Sequence, residues 1–282
     1  MSRLVALLLM LLPATPAFAE TVHFPSATTP PTPLQQRLAK ERGTPIDPQP
    51  TTDLAGELHR PAGAAPFPAV VALHGCGGRG PRDYEDALAP RFVALGYVLL
   101  IVDSFGPRSI TERCTPASFD KEDVDRVMDA YGGLNYLASL PFVDRERIAV
   151  VGYSQGAMAA LSAVSMGGVE TLFDRHFRTA IAYYPGCRSE TGAVSIPTLV
   201  LIGALDDWTP ARDCEAMMAR RSGEGAPLRL IVYPGAYHAF NARSLIGRPR
   251  EVFGGHHVEY NEAADTAAWS ELTAALRQAF GR

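Results

Sequence analysis

Short stretches that are apolar at nearly every position recur along this chain with helical patterns between them, and this alternation restricts the fold most. Ala69–Leu73 and Tyr97–Val102 are unbroken apolar runs, the pattern of strands covered on both faces. Leu54–His59, Arg147–Val151, Thr179–Tyr184, Thr198–Ile202 and Leu228–Tyr233 read as further strands. Between them, Tyr84–Leu95 is amphipathic, and Lys121–Ser139 repeats Val124, Val127, Met128, Tyr131, Leu134 and Leu137 at helical spacing. A helix from near Pro210 to about Arg221 and a closing helix over Ala263–Phe280 complete the rhythm. Strands spaced by helices imply right-handed crossovers. The chain therefore predicts an α/β fold, a mostly parallel central sheet of about seven or eight strands with helices on both faces. Ligands of such sheets sit beyond the carboxyl ends of the strands, so the residues after each strand are the ones to inspect.

The N-terminus reads as a processing segment. Arg3 precedes an apolar run, Leu4–Leu12, and Ala17-Phe18-Ala19 stands before Glu20 as a small-x-small cleavage signal. Residues 1–19 are expected to be a secretory signal, cut near Ala19-Glu20, and the run is too short to span a bilayer. Removing nineteen residues from 282 leaves 263, which suits one large α/β domain. The expected product is exported, periplasmic or secreted. Its net charge moves from −4 to −5 on loss of Arg3, and it carries no basic patch. Neither nucleic acid nor membrane is an expected partner. Residues 20–50 are rich in Pro and Thr without periodicity and read as an extended arm or linker, leaving 51–282 as the α/β domain.

Residues 148–161 hold the most telling local pattern. A β-branched run reaches Val151, then Gly152-Tyr153-Ser154-Gln155-Gly156, then the helix-forming Ala157–Leu161. This strand, sharp turn and helix is what a G-x-S-x-G nucleophile elbow requires, because a Cβ at either glycine would crowd the turn. Ser154 is thus the candidate nucleophile. His238 follows the Leu228–Tyr233 strand, and a histidine there suits a general base. His256 and His257 sit in a Gly-rich polar loop with no strand before it and read as solvated. After Thr198–Ile202 come Asp206 and Asp207, either of which could hold the imidazole N–H. After Ala69–Leu73 comes His74-Gly75-Cys76-Gly77-Gly78, whose glycines allow close backbone approach to a ligand. The amides of Gln155 and Cys76 are the expected oxyanion donors, and His74 reads as a structural loop residue. The order Ser154, Asp206, His238 is the order of α/β-hydrolases.

Taken together, these stretches resemble the dienelactone hydrolase-like branch of the α/β-hydrolases. The resemblance runs through Pro66–Gly78, Asp103-Ser-Phe-Gly-Pro-Arg108, Gly152–Gly156, Gly203 through Pro210 and Tyr233–His238, and covers about residues 50–280. It implies an α/β-hydrolase fold and cleavage of a carboxylic ester or lactone, a small molecule, through an acyl-enzyme without a cofactor or metal. In the family pattern the acid lies three residues after the glycine, which favours Asp206 over Asp207. Dienelactone hydrolase itself is cytoplasmic and uses a cysteine nucleophile. The serine and the export signal here set dienelactone aside as an expected substrate.

Arg108 follows the Asp103 strand end; it either forks a substrate carboxylate or holds its own loop by an internal ion pair. Tyr153 and Trp208 are candidates for lining the substrate pocket. Four cysteines in an oxidising compartment permit two disulfides. Cys187 follows the strand end at Tyr184 and Cys214 lies in the helix beyond the acid loop, so Cys187–Cys214 is the preferred bridge, with Cys76–Cys114 beside it. Four cysteines allow three pairings. No C-x-x-C spacing occurs, which argues against a zinc site. The stretch Ala239–Asn261 lacks periodicity and is a candidate cover for the cleft; whether it acts as a lid stays open. A peptidase of the prolyl oligopeptidase kind and a catalytically inactive binding protein on this scaffold are the rival readings; monomer and dimer both stay open.

Overall fold

The computed structural model describes residues 18–46, 50–79, 83–115 and 124–281. Residues 1–17, which carry nearly all of the expected export signal, and 121–123, the expected start of the second helix, lie outside them. Eight strands form one sheet: β1 (Phe18–Pro25), β2 (Asp53–Arg60), β3 (Phe67–Leu73), β4 (Val98–Asp103), β5 (Val143–Tyr153), β6 (Ala180–Tyr183), β7 (Thr198–Gly203) and β8 (Leu228–Tyr233). Their order across the sheet is β1-β2-β4-β3-β5-β6-β7-β8. The first two pairings are antiparallel, and every pairing from β4 to β8 is parallel. This is the expected fold class.

The apolar runs explain the layers. β3, β6 and β7 are buried at every position, so both faces of the sheet are covered. The main helices are α1 (Pro33–Arg42), α2 (Asp83–Ala94), α3 (Val124–Ser139), α4 (Gln155–Ser162), α5 (Ala211–Arg220) and α6 (Glu262–Phe280). α3 packs on α4, and α2 meets α6 through Phe92 and Trp269, 5.1 Å apart and edge to face. Central residues such as Leu99 and Leu134 are wholly excluded from solvent. Truncating either to alanine is expected to cost about 2–5 kcal/mol.

Residues 20–46 of the expected arm or linker hold regular structure. Phe18–Pro25 pairs with β2 over eight residues as the edge strand, burying Val22 and Phe24 while Thr21 and His23 face outward. Pro33–Arg42 is a helix closed by a capping box between Thr32 and Gln35 and by Gly43 at φ 64°. Because β1 begins at Phe18, cleavage after Ala19 would trim two residues from that edge.

The parallel strands all run toward one end of the sheet. His74, Asp103, Ser154, Tyr184, Asp206 and His238 follow or end strands there, and the site is built at that edge.

Candidate active site

The turn after β5 is as tight as its glycines imply. A Cβ on Gly152 would lie 2.1 Å from Gly156 O, and one on Gly156 would lie 2.4 Å from both His74 O and Leu73 O. Ser154 itself is held at φ 53°, ψ −120°, a region where a side-chain-bearing residue costs about 1–3 kcal/mol. Its amide donates to Tyr183 O at 2.9 Å, and it is the N-cap of α4. The strain is sustained by the packing around it and lifts the hydroxyl above the sheet.

Three strand ends converge on that hydroxyl. His238 Nε2 lies 3.0 Å from Ser154 Oγ, and His238 Nδ1 lies 2.8 Å from Asp206 Oδ2. All three side chains are nearly removed from solvent, with residue exposures of 6%, 3% and 5% for Ser154, His238 and Asp206. A carboxylate only accepts, so Nδ1 carries the proton and Nε2 is left to accept from the serine. Asp206 Oδ1 accepts the amides of Trp208 (3.0 Å) and Thr209 (2.8 Å), which orients the carboxylate toward the imidazole. Asp207 is half exposed and accepts the His257 amide instead. Of the two aspartates, Asp206 is the one at the imidazole.

The β3 loop closes the other side. A Cβ on Gly75 would lie 3.5 Å from Ser154 Cβ, and Cys76 is buried beside it. Cys76 O accepts from Arg113 N at 2.7 Å, and its sulfur is bonded to Cys114. Gln155 is the first residue of α4, where backbone N–H groups point out of the helix and favour negative charge. A cavity of about 220 Å³ opens over the serine, lined by Gly75, Cys76, Tyr153, Trp208, Leu245 and Phe253 among others. Tyr153 and Trp208 therefore do line the cleft. Trp208 also packs on His238, ring centroids 4.9 Å apart.

Arg108 does not. Its guanidinium forks Asp129 through two 2.8 Å bonds and donates to Ser104 O at 2.7 Å. Asp129 is fully buried, and its carboxyl is pushed up by burial, with Arg108 acting against that shift. These bonds are the internal ion pair of the two readings, and they hold the guanidinium within its own loop. His256 and His257 are not simply solvated either. His256 stacks flat on Trp208, 5.0 Å apart and 7° from parallel. His257 lies 2.8 Å from Glu251 and 3.1 Å from Glu259, and the Glu251 bond above all raises its pKa. Both rings brace a hairpin of β9 (Arg250–Val252) and β10 (His256–Val258), which, with a 3₁₀ turn at Arg243–Leu245, forms one wall of the cavity. The hairpin and the turn both lie within Ala239–Asn261, the candidate cover.

Thr209 was invisible to sequence reasoning. It is buried, and its Oγ1 lies 3.0 Å from Tyr184 O, 3.0 Å from Asp206 Oδ2 and 3.1 Å from His238 Nδ1. The one available signal was a threonine three residues after a loop aspartate, the spacing of a local side-chain turn. Both disulfides form as expected, Cys76–Cys114 and Cys187–Cys214. Among the described residues no group of three or more His, Cys, Asp or Glu could hold a metal ion.

Fold and site together define an α/β-hydrolase. Within that class the chain belongs to the dienelactone hydrolase family, which residues 54–280 match. Among solved structures, the dienelactone hydrolase-like promiscuous phosphotriesterase P91 from metagenomic libraries superposes with a TM-score of 0.66 at 18% identity, covering 93% of this chain and 98% of its own. Dienelactone hydrolase from Anabaena variabilis gives 0.58 at 20% identity, over 80% and 92%. Esterase EstD from Thermotoga maritima is 32% identical over 111 residues, 37% of this chain but 26% of its own length. The chain thus spans about a quarter of that curated relative.

Proposed function

We propose that this protein is a serine hydrolase that cleaves carboxylic esters or lactones through an acyl-enzyme. The observation that carries the reading is the unbroken relay Ser154 Oγ, His238 Nε2, His238 Nδ1, Asp206 Oδ2, with links of 3.0 and 2.8 Å. His238 takes the hydroxyl proton as Ser154 attacks the carbonyl. Asp206 holds the imidazole in the required tautomer and stabilises the imidazolium. The amides of Gln155 and Cys76 receive the oxyanion. His238 then protonates the leaving alcohol, and water, deprotonated by the same imidazole, releases the acyl group and restores the serine.

We also propose that residues 1–19 direct export. Two disulfides support this, since such bonds persist in oxidising compartments. Among the described residues no helix is long and apolar enough to cross a membrane.

The mature protein assayed on short p-nitrophenyl esters tests the main reading. Wild type is expected to turn over, with Ser154→Ala inactive and wild type alone labelled by a fluorophosphonate at Ser154. Undiminished turnover by Ser154→Ala would sink it.

A further inference from the structure

The peptide unit between Gly75 and Cys76 supplies one of the two oxyanion donors in the proposed mechanism, and its far side is held by a side chain with no part in the relay. His74 Nδ1 lies 2.7 Å from Gly75 O. A carbonyl only accepts, so Nδ1 carries the proton. The other ring nitrogen, Nε2, accepts the Ser104 amide at 3.2 Å, which requires it to be bare. The two bonds together fix one neutral tautomer. Gly75 O also accepts from Gly78 N at 3.3 Å.

In a trans peptide the C=O and the next N–H point in opposite directions within one plane. Gly75 O belongs to the same plane as the Cys76 N–H. Fixing that oxygen on the His74 side therefore fixes the direction of the Cys76 N–H on the other, with Ser154 Cβ only 3.5 Å from where a Gly75 Cβ would lie. A hydrogen bond accepted by the carbonyl also polarises its peptide and strengthens the N–H as a donor.

The ring is clamped in turn. His74 is buried at 6% exposure, and its ring meets Phe105 edge-on at 4.6 Å. Arg126, 1% exposed, donates to His74 O and to Gln155 Oε1 (3.3 Å), with its guanidinium 5.1 Å from the Phe105 ring. One side chain thus ties the β3 loop to Gln155, the residue that provides the second oxyanion amide. Burial first, and the Arg126 charge second, hold the His74 pKa well below its ordinary value, in keeping with a ring whose Nε2 must stay bare.

We infer that His74 is a positioning residue that aims the Cys76 N–H at the developing oxyanion, with Arg126 locking it to the Gln155 turn. This rests on the serine hydrolase reading. It separates from that reading because Ser154→Ala tests the nucleophile alone.

The test compares His74→Asn, His74→Gln and His74→Phe in the mature protein with p-nitrophenyl butyrate. Asparagine places an N–H where Nδ1 stands; glutamine places its polar atoms one bond further out. His74→Asn is expected to keep kcat within a few-fold of wild type. His74→Gln and His74→Phe are expected to lose at least about ten-fold in kcat, toward the about 10²- to 10³-fold that one lost oxyanion donor costs, with KM little changed. The inhibition constant of phenylboronic acid, which mimics the tetrahedral state, is expected to rise by the same factor. Glutamine and phenylalanine variants that fold and turn over like wild type would overturn the inference, as would an asparagine variant as impaired as they are. A readout independent of activity and folding of variants is nitrogen NMR of the wild type. A coupling across the hydrogen bond from the Ser104 amide to a His74 ring nitrogen is expected, and a protonated Nε2 would overturn the assignment.

Discussion

His238 Nδ1 stands 2.8 Å from Asp206 Oδ2, a contact that the adjacent Asp207 does not make. Asp206 is buried and takes two backbone amides on its other oxygen, whereas Asp207 lies on the surface. Asp206→Asn is expected to lower kcat on p-nitrophenyl butyrate by about 10³- to 10⁴-fold, because the amide favours the wrong imidazole tautomer. Asp207→Asn is expected to leave kcat near wild type. Steady-state kinetics of the two variants check both outcomes.

Arg108 forks the fully buried Asp129. Removing the guanidinium strands a buried carboxylate, a loss of about 3–5 kcal/mol. Arg108→Met is therefore expected to lower the melting temperature by roughly 10 °C. Its KM is expected to shift alike for neutral and carboxylate-bearing esters. A KM that rises for the acidic ester alone would return Arg108 to the substrate site.

The Cys76–Cys114 bridge closes a loop across a sequence separation of 38 residues and holds the residue assigned to the oxyanion hole. Its chain-entropy contribution is about 4 kcal/mol. Cys114→Ser with Cys76→Ser is expected to lose stability of that order and also kcat. Cys187→Ser with Cys214→Ser, whose bridge lies beyond the β6 end, is expected to lose stability while kcat per folded molecule stays. Chemical unfolding and active-site-titrated kinetics distinguish the two pairs.

What sequence alone revealed follows from where each signal resides. Strands covered on both faces need apolar residues throughout, so β3, β4 and β7 announce themselves. Ser154, Asp206 and His238 follow strands, and their order is a property of the chain. β1 escaped notice because its alternation of Val22 and Phe24 with Thr21 and His23 is brief and set among prolines. α1 escaped because it buries no residue and so has no apolar stripe; its signals lie at its ends, a capping box and Pro33 at the start, Lys40, Arg42 and Gly43 at the close. Thr209, Arg126 and the orienting bonds of His74 depend on contacts between segments distant in sequence. His74 and Arg126 are 52 residues apart, and no local pattern marks such a pair.

His74 is neutral in the fold, which gives stability a pH dependence of definite sign. Its folded pKa lies well below the ordinary 6.5. Below pH 6.5 the unfolded chain takes up a proton that the folded ring refuses, so stability falls as pH falls. One proton corresponds to a slope of up to about 1.4 kcal/mol per pH unit. His74→Asn removes this proton from both states. The free energy of unfolding in urea, measured between pH 7 and 5, is expected to fall less steeply for His74→Asn than for wild type. Equal slopes would show that the ring titrates normally in the fold.

Trp208 stands between two cavities. One, about 220 Å³, lies over Ser154; the other, about 420 Å³, is lined by Met158, Gly186, Arg188 and Asp213 among others, and Trp208 and Cys114 border both. The indole is pinned by the flat stack with His256 and by Phe253 at 5.8 Å. A small cavity over the serine suits a short acyl chain. Trp208→Ala is expected to join the cavities and move the optimum along a p-nitrophenyl acetate-to-octanoate series toward longer chains. Each further methylene that finds apolar wall contributes about 0.8 kcal/mol, or about four-fold in kcat/KM. The indole also packs on His238, so the variant is expected to be slower on acetate. The slope of log kcat/KM against chain length separates the two effects: a steeper slope reports a wall removed, and a parallel drop across the series reports only a disturbed imidazole.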